Sequence, residues 1–323
     1  MQTLLKETSA YSLMKKEERE GRLNHAYLIL MDDPISLRET LTFFARVFFG
    51  VDEPSSLEEE RISDLIEKES YGDCLFFPKK DKKFSVSDVD EIKEESALNP
   101  VEGDKKLFVI GDFSELGIPQ QNKLLKLLEE PPKKVYFLLG ATVPHAILQT
   151  VLSRAKKLEI PPFSTEKIVE FLQRNATRTT LSDEQLYAYA ATSGGWPGNA
   201  KNALDGGYFT QIQTDAFALC LQEKNLPILA KKAGETRYKK ELLSFLRLIF
   251  RDALLLKTEH KQNILLKTDL EKVKKVATLY TTTALLYAQE AISEAEKEVK
   301  FNANFTQCLE ICFGRIQRIN EKF

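Results

Sequence analysis

A chain of 323 residues, 43% of them hydrophobic and 29% charged, is long enough to bury two or three domain cores at roughly 100–200 residues each. Its 46 basic and 48 acidic residues leave a formal net charge of −2, which argues against a protein that coats nucleic acid by charge alone but leaves room for a local basic path. Fourteen glycines and twelve prolines are too few for a fibrous or largely disordered chain.

Met1 to Glu20 carries only short apolar runs broken by Lys and Glu, without a signal-peptide core. Ala26 to Met31, AYLILM, is a continuous apolar run suited to a buried parallel strand. After Pro34, Ser36-Leu-Arg-Glu39 reads as a capping box that opens an apolar-rich helix through Phe49, closed by Gly50. Val51 to Tyr71 is acidic and polar, with little to pack. Cys74 to Phe77 predicts a second strand and Lys79 to Lys83 a charged turn. Ser87 to Leu98 has helical spacing and stops at Asn99-Pro100. Leu107 to Ile110 is another buried strand. Pro119 to Glu130 is a helix with Leu124, Leu125, Leu127 and Leu128 inward, ended by Pro131-Pro132. Val135 to Leu139 is a strand, Pro144 to Leu152 a short helix, and Leu158 to Ile160 a last strand. Strands alternating with helices imply a parallel sheet covered on both faces.

Beyond Pro162 the strand signals fade. Ser164 caps one helix, Ser182 caps another over Leu181 to Thr192, and Gly194-Gly195 closes it. Gly198 to Leu204 starts a third. From Tyr208 onward the pattern is helical, notably over Leu242 to Leu256 and Leu279 to Ala295.

The cysteines are Cys74, Cys220, Cys308 and Cys312, and the last two share a helical face in an apolar stretch, as small buried hydrophobes do. No CxxC pair exists, and His25, His145 and His260 offer no zinc spacing, so no metal is expected and a reducing compartment fits. No stretch approaches the ~20 apolar residues of a membrane span. A cytoplasmic protein without membrane contact is expected.

Four segments carry a resemblance, in one order along the chain. Asn122 to Pro132, NKLLKLLEEPP, is similar to the NALLKxLEEPP segment of bacterial clamp-loader subunits, and His25-Ala-Tyr-Leu28 to their HAYL opening. Ile147 to Arg154, ILQTVLSR, is similar to their lLxTIxSRC motif, with Ala155 where Cys is usual. Asn302 to Glu310, NANFTQCLE, is similar to the NxNxxLxLE signature of their collar. The chain is identified as a member of the DNA polymerase III clamp-loader family, within the AAA+ superfamily. The resemblance implies an α/β AAA+ domain over 1–162, a small helical lid over 163–207 and a helical collar for oligomerisation over 208–323.

A phosphate loop needs glycines whose N–H groups wrap the anion, a Lys for its charge and a Ser/Thr for Mg²⁺. The corresponding Met31 to Thr40 has no glycine and no lysine, and Asp32 and Asp33 repel phosphate ahead of Pro34. Leu37 falls where the Lys belongs; one gap puts Arg38 there. By the same resemblance Gly111 stands at the metal-binding Asp of Walker B, Asp112 at the catalytic Glu, and Gly198 at the sensor 2 Arg. Asp112 alone reads as a solvated or capping residue.

What survives is Ser153-Arg154. In the family this arginine reaches into a neighbouring subunit's ATP site, where its fixed fork can neutralise charge developing on the γ-phosphoryl. The combination resembles the delta-prime branch. It implies a chain with no cofactor and no enzymatic activity of its own, working with motor (gamma/tau) and delta subunits around primer–template DNA and acting on the sliding clamp indirectly. The alternatives are a motor-type ATPase with a divergent phosphate loop and an AAA+-derived adaptor outside replication. The family's four-cysteine zinc module is not matched by 51–71. Lysine pairs at 79–80, 82–83, 105–106, 133–134, 156–157 and 231–232 are candidates for phosphate contacts or plain solvated surface.

Overall fold

The apolar runs become five strands: β1 (Ala26–Leu30), β2 (Cys74–Phe77), β3 (Lys106–Asp112), β4 (Val135–Ala141) and β5 (Lys156–Glu159). The computed structural model describes residues 1–175, 183–205, 209–222, 225–258 and 263–322. All the strand pairs are parallel, in the order β2-β3-β4-β1-β5. The chain divides into two units, Met1–Pro162 and Phe163–Phe323. The sheet lies wholly in the first.

Helices interleave with the strands: α1 (Gln2–Lys6), α2 (Ser9–Arg19), α3 (Leu37–Phe49), α4 (Leu57–Glu67), α5 (Val86–Ser96), α6 (Ile118–Glu129) and the single turn α7 (Gln149–Leu152). Because successive strand residues face opposite ways, each strand serves two cores. Leu28, Phe77, Phe108, Phe137 and Leu139 pack with Val89, Ile92, Leu124 and Leu128 of α5 and α6. Phe77, Phe108 and Phe137 stack in a row across three strands, with centroids 6.4 and 5.6 Å apart. The other face takes α3, whose approach requires a glycine. A Cβ at Gly140 would lie 2.7 Å from Leu41 Cδ1 and 3.0 Å from Leu37 Cδ1.

Three local expectations change. The capping box at Ser36 does not form: Ser36 is already αR and offers no side-chain cap, and the buried Asp33 carboxylate accepts the Ser36 N–H at 3.2 Å instead. The acidic stretch contains α4, and the N-terminus folds as α1 and α2. α4 buries only Ser63 and Ile66, and is set by the Ser56 cap on Glu59 N–H and an exposed Glu58–Arg61 pair. Pro144 to Leu152 is not one helix but a 3₁₀ turn followed by α7.

Among its described residues the second unit is helical throughout: α8 (Thr165–Asn175), α9 (Asp183–Thr192), α10 (Pro197–Asp205), α11 (Phe209–Leu221), α12 (Leu226–Gly234), α13 (Lys239–Lys257), α14 (Leu270–Leu279), α15 (Thr282–Lys300) and α16 (Phe305–Lys322). Its core centres on α13, where Leu242, Phe245, Leu246, Ile249, Phe250 and Ala253 recur at helical spacing. The helix expected from Leu279 starts at Thr282, since Tyr280 is extended and buried. Asn320 bridges that break, accepting Thr281 N–H at 2.6 Å and donating to Leu279 O at 2.9 Å. Cys308 and Cys312 are buried, and burial pushes the Cys312 thiol up to about 12. Leu181, Ser182, His260 and the expected 207/208 boundary lie outside the described residues.

Candidate functional site: an arginine-bearing cleft

In an open parallel sheet, ligands characteristically bind beyond the carboxyl ends of the strands. Here those ends carry Met31 to Ser36 after β1, Gly111 and Asp112 at the end of β3 with Phe113 and Ser114 beyond, and Thr142 after β4. Asp33 is fully buried on the Ser36 N–H, Asp32 is half-buried and Pro34 is exposed. Leu37 is buried against Gly140. Arg38 is held twice over: Nε and Nη2 donate to both Glu69 carboxylate oxygens at 2.6 and 2.5 Å, and Nη1 and Nη2 to Pro78 O at 3.1 Å.

Gly111 is an extra residue in β3. The register with β4 slips between Ile110 and Asp112, which turns Asp112 toward β4. Its carboxylate accepts from Ser114 N (3.1 Å), Thr142 N (3.2 Å), Thr142 Oγ1 (2.5 Å) and Ser114 Oγ. Asp112 thus caps the turn after β3 and ties it to β4. Gly198 is buried at the start of α10, in the second unit.

A second locus lies elsewhere in the α/β unit. A wide, shallow cleft of about 820 Å³ is lined by Asn24, His25, Leu128, Glu129, Glu130, Ser153, Arg154, Ala155 and Lys156. His25 Nε2 donates to Leu128 O at 3.1 Å, joining the start of β1 to the end of α6. Arg154 follows α7. Its Nη1 donates to Thr150 O at 2.7 Å and Ser153 Oγ at 3.1 Å, and Nη2 meets Glu129 Oε1 at 2.7 Å. Both partners of that ion pair stay open to water, at 33% and 45% side-chain exposure. The HAYL segment and the LLEEPP and LSR segments, which lie a hundred or so residues further along the chain, meet on this one cleft.

The geometry invites comparison with known proteins. Residues 6–164 match the family model described as "DNA polymerase III, delta subunit". A DNA polymerase III subunit delta' from Bacillus subtilis is 23% identical, over 92% of this chain and 92% of that one. The delta' subunit from Escherichia coli is 31% identical over 42% of this chain and 38% of its own length. Over residues 6–164 this chain belongs to the DNA polymerase III clamp-loader family. A tau subunit from B. subtilis is 24% identical over 87% of this chain, which spans only 55% of that relative.

Lys156, which lines the cleft, is secured by a half-buried carboxylate, Glu17. Burial raises the Glu17 carboxyl, but hydrogen bonds from Lys156 and Tyr27 outweigh it and hold the carboxyl below the usual glutamate range. The Tyr27 hydroxyl, which donates to Glu17, is pushed up by burial and by that carboxylate, and accepts Asn24 N–H at 2.9 Å. Glu17 therefore ties α2 to β1 and β5 and takes up the charge of Lys156.

Two residues of the cleft's support escape sequence reasoning. Gln121 is fully buried: Nε2 donates to Leu116 O at 2.9 Å and Ala146 O at 3.0 Å, and Oε1 accepts Leu148 N–H at 2.9 Å. It fastens α6 to the segment that leads into α7 and Arg154. Its signal is position, three and seven residues before the buried Leu124 and Leu128, on the apolar face. Glu129 stands inside the quoted motif but only the fold gives it a partner. Among the lysine pairs, Lys106 is not solvated at all, being 1% exposed on Glu95, and Lys105 donates to Phe48 O with its ammonium over the Phe48 and Phe49 rings.

Proposed function

We propose that this chain is a delta-prime-type subunit that does not hydrolyse ATP itself and lends Arg154, aided by Ser153, to the ATP of an adjoining motor (gamma/tau) subunit. The observation that carries this reading is the contrast in how two arginines are held. Arg38, the cation of the β1 loop, is locked to Glu69 and Pro78 O, whereas Arg154 stands at an open cleft on one water-exposed carboxylate.

The residues after β1 do not fit a nucleotide's phosphates. A cradle needs free backbone N–H groups and a mobile cation. Here the Ser36 N–H is taken by the buried Asp33 carboxylate, and Leu37, in the position of the phosphate-loop lysine, is packed into the core. Asp112 is fully engaged in tying β3 to β4. No step is therefore routed through nucleotide on this chain.

At Arg154 the planar guanidinium is anchored along one edge by its own turn, through Thr150 O and Ser153 Oγ. Beyond that turn, Nη2 meets only the water-exposed Glu129 carboxylate. Such a fork suits phosphoryl oxygens, since paired donors stabilise the spread charge of the transition state. In this role the α/β unit works as a fixed partner of moving subunits. The helical unit divides into a lid (163–207) and a collar (208–323) that holds the ring with motor and delta subunits. The assembly places a sliding clamp on primer–template DNA.

Two measurements test this. A mant-ATP titration of the purified chain is expected to give no micromolar binding; finding it would overturn the non-hydrolysing role and favour a motor-type ATPase. Reconstituted with motor and delta subunits, Arg154→Ala should assemble normally and lose clamp- and DNA-stimulated hydrolysis by on the order of 10³-fold. Undiminished hydrolysis would remove the finger.

A further inference from the structure

Building on the finger reading, we infer that Glu129 is a displaceable stand-in for the phosphate: it occupies the free edge of Arg154 until a neighbour's nucleotide takes its place. Three observations support it. Glu129 Oε1 sits 2.7 Å from Nη2, the terminal nitrogen that the anchors to Thr150 O and Ser153 Oγ, both made by Nη1, leave unused. The site it fills opens directly onto the cleft. Its hold is weak enough to yield, because the pair is water-exposed, and such pairs contribute about 0–1 kcal/mol against a polyphosphate that brings several charges and paired acceptors.

The carboxylate therefore has two effects. It keeps the arginine extended toward the cleft in the lone subunit, and it sets a threshold that nucleotide must exceed. It does so from α6, the helix whose buried Gln121 also fastens the segment leading to Arg154, so the carboxylate and its target are positioned by the same element. Glu129 touches no substrate in this role. It is a positioning residue that acts through Arg154.

The test uses the assembled loader, wild type or with Glu129→Gln, Glu129→Asp, Arg154→Ala or the Glu129→Gln/Arg154→Ala pair in this chain, and follows kcat and KM for ATP with clamp and primed DNA. Glu129→Gln should raise kcat/KM about two- to fivefold, the size of one exposed ion pair. Glu129→Asp, which keeps the charge at shorter reach, should fall between it and wild type. In the Arg154→Ala background the Glu129→Gln effect should vanish. A gain that depends on Arg154 is not what damage to a helix end produces. If Arg154→Ala is crippled but Glu129→Gln leaves kcat/KM unchanged or lowers it, the stand-in role is overturned and the finger survives. If Arg154→Ala itself changes nothing, both fall.

Discussion

Two arginines of the α/β unit, Arg38 and Arg154, are held in opposite ways. Arg38 follows β1 and, though its side chain is as exposed as that of Arg154, spends both edges of its guanidinium on fold contacts, Glu69 at 18% exposure and Pro78 O. Arg154 fixes one edge on its own turn and meets a single exposed carboxylate with the other. The difference teaches that a cation's availability is set by its neighbours rather than by its type. An arginine satisfied by fold contacts is a structural residue, and one whose contact is cheap to exchange is free for a partner.

That contrast can be broken by replacement at each end. The largest effect is expected at the open end: Arg154→Lys keeps the charge but loses the fork, and stimulated hydrolysis in the assembly should drop about 10²-fold, read by steady-state phosphate release. Next, Asp112→Ala removes the acceptor for Ser114 and Thr142, and should cost about 2–3 kcal/mol in urea unfolding. If Asp112→Ala were instead neutral for stability and destroyed hydrolysis, the closed end would not be closed. Arg38→Ala should leave hydrolysis unchanged while lowering unfolding free energy by about 1–2 kcal/mol, since Glu69 is left half-buried and unpaired.

The smallest effect sharpens the comparison through pH. The Glu17 carboxyl titrates below its ordinary value in the folded chain, so its contribution is present above the unfolded pKa and is lost as pH falls through the folded one. Wild type should exceed Glu17→Gln by about 1 kcal/mol at pH 7, a gap that closes in acid below the usual glutamate range. A gap that widens on acidification would contradict this assignment of the Lys156 partner.

Much of the sheet was legible because its strands are buried on both sides and so are written as unbroken apolar runs, as at Ala26 to Met31 and Leu107 to Ile110. α4 and the N-terminal helices were not, because surface helices bury few side chains and are set by caps and charge pairs that resemble loop composition. The expected box at Ser36 failed since a nearby carboxylate, Asp33, reaches the same N–H. The motifs located Arg154, yet neither its pairing with Glu129 nor the pairing of Arg38 with Glu69 is a local property. Each joins residues twenty-five or more positions apart, and only the packing of α6 with α7 and of α3 with α4 brings them together. Gln121 was hidden for a related reason: a polar residue on an apolar face looks like a flaw until its three backbone partners are in view.

α6 touches the segment carrying Arg154 at two places, through Gln121 near its start and Glu129 at its end. Eight residues of helix separate them, a span of about 12 Å. The two contacts differ in strength: buried Gln121 holds the backbone of that segment, whereas Glu129 meets only the tip of the side chain, in water. A shift of α6 therefore carries the backbone that bears Arg154 along with it through Gln121, while the guanidinium keeps its freedom to part from Glu129.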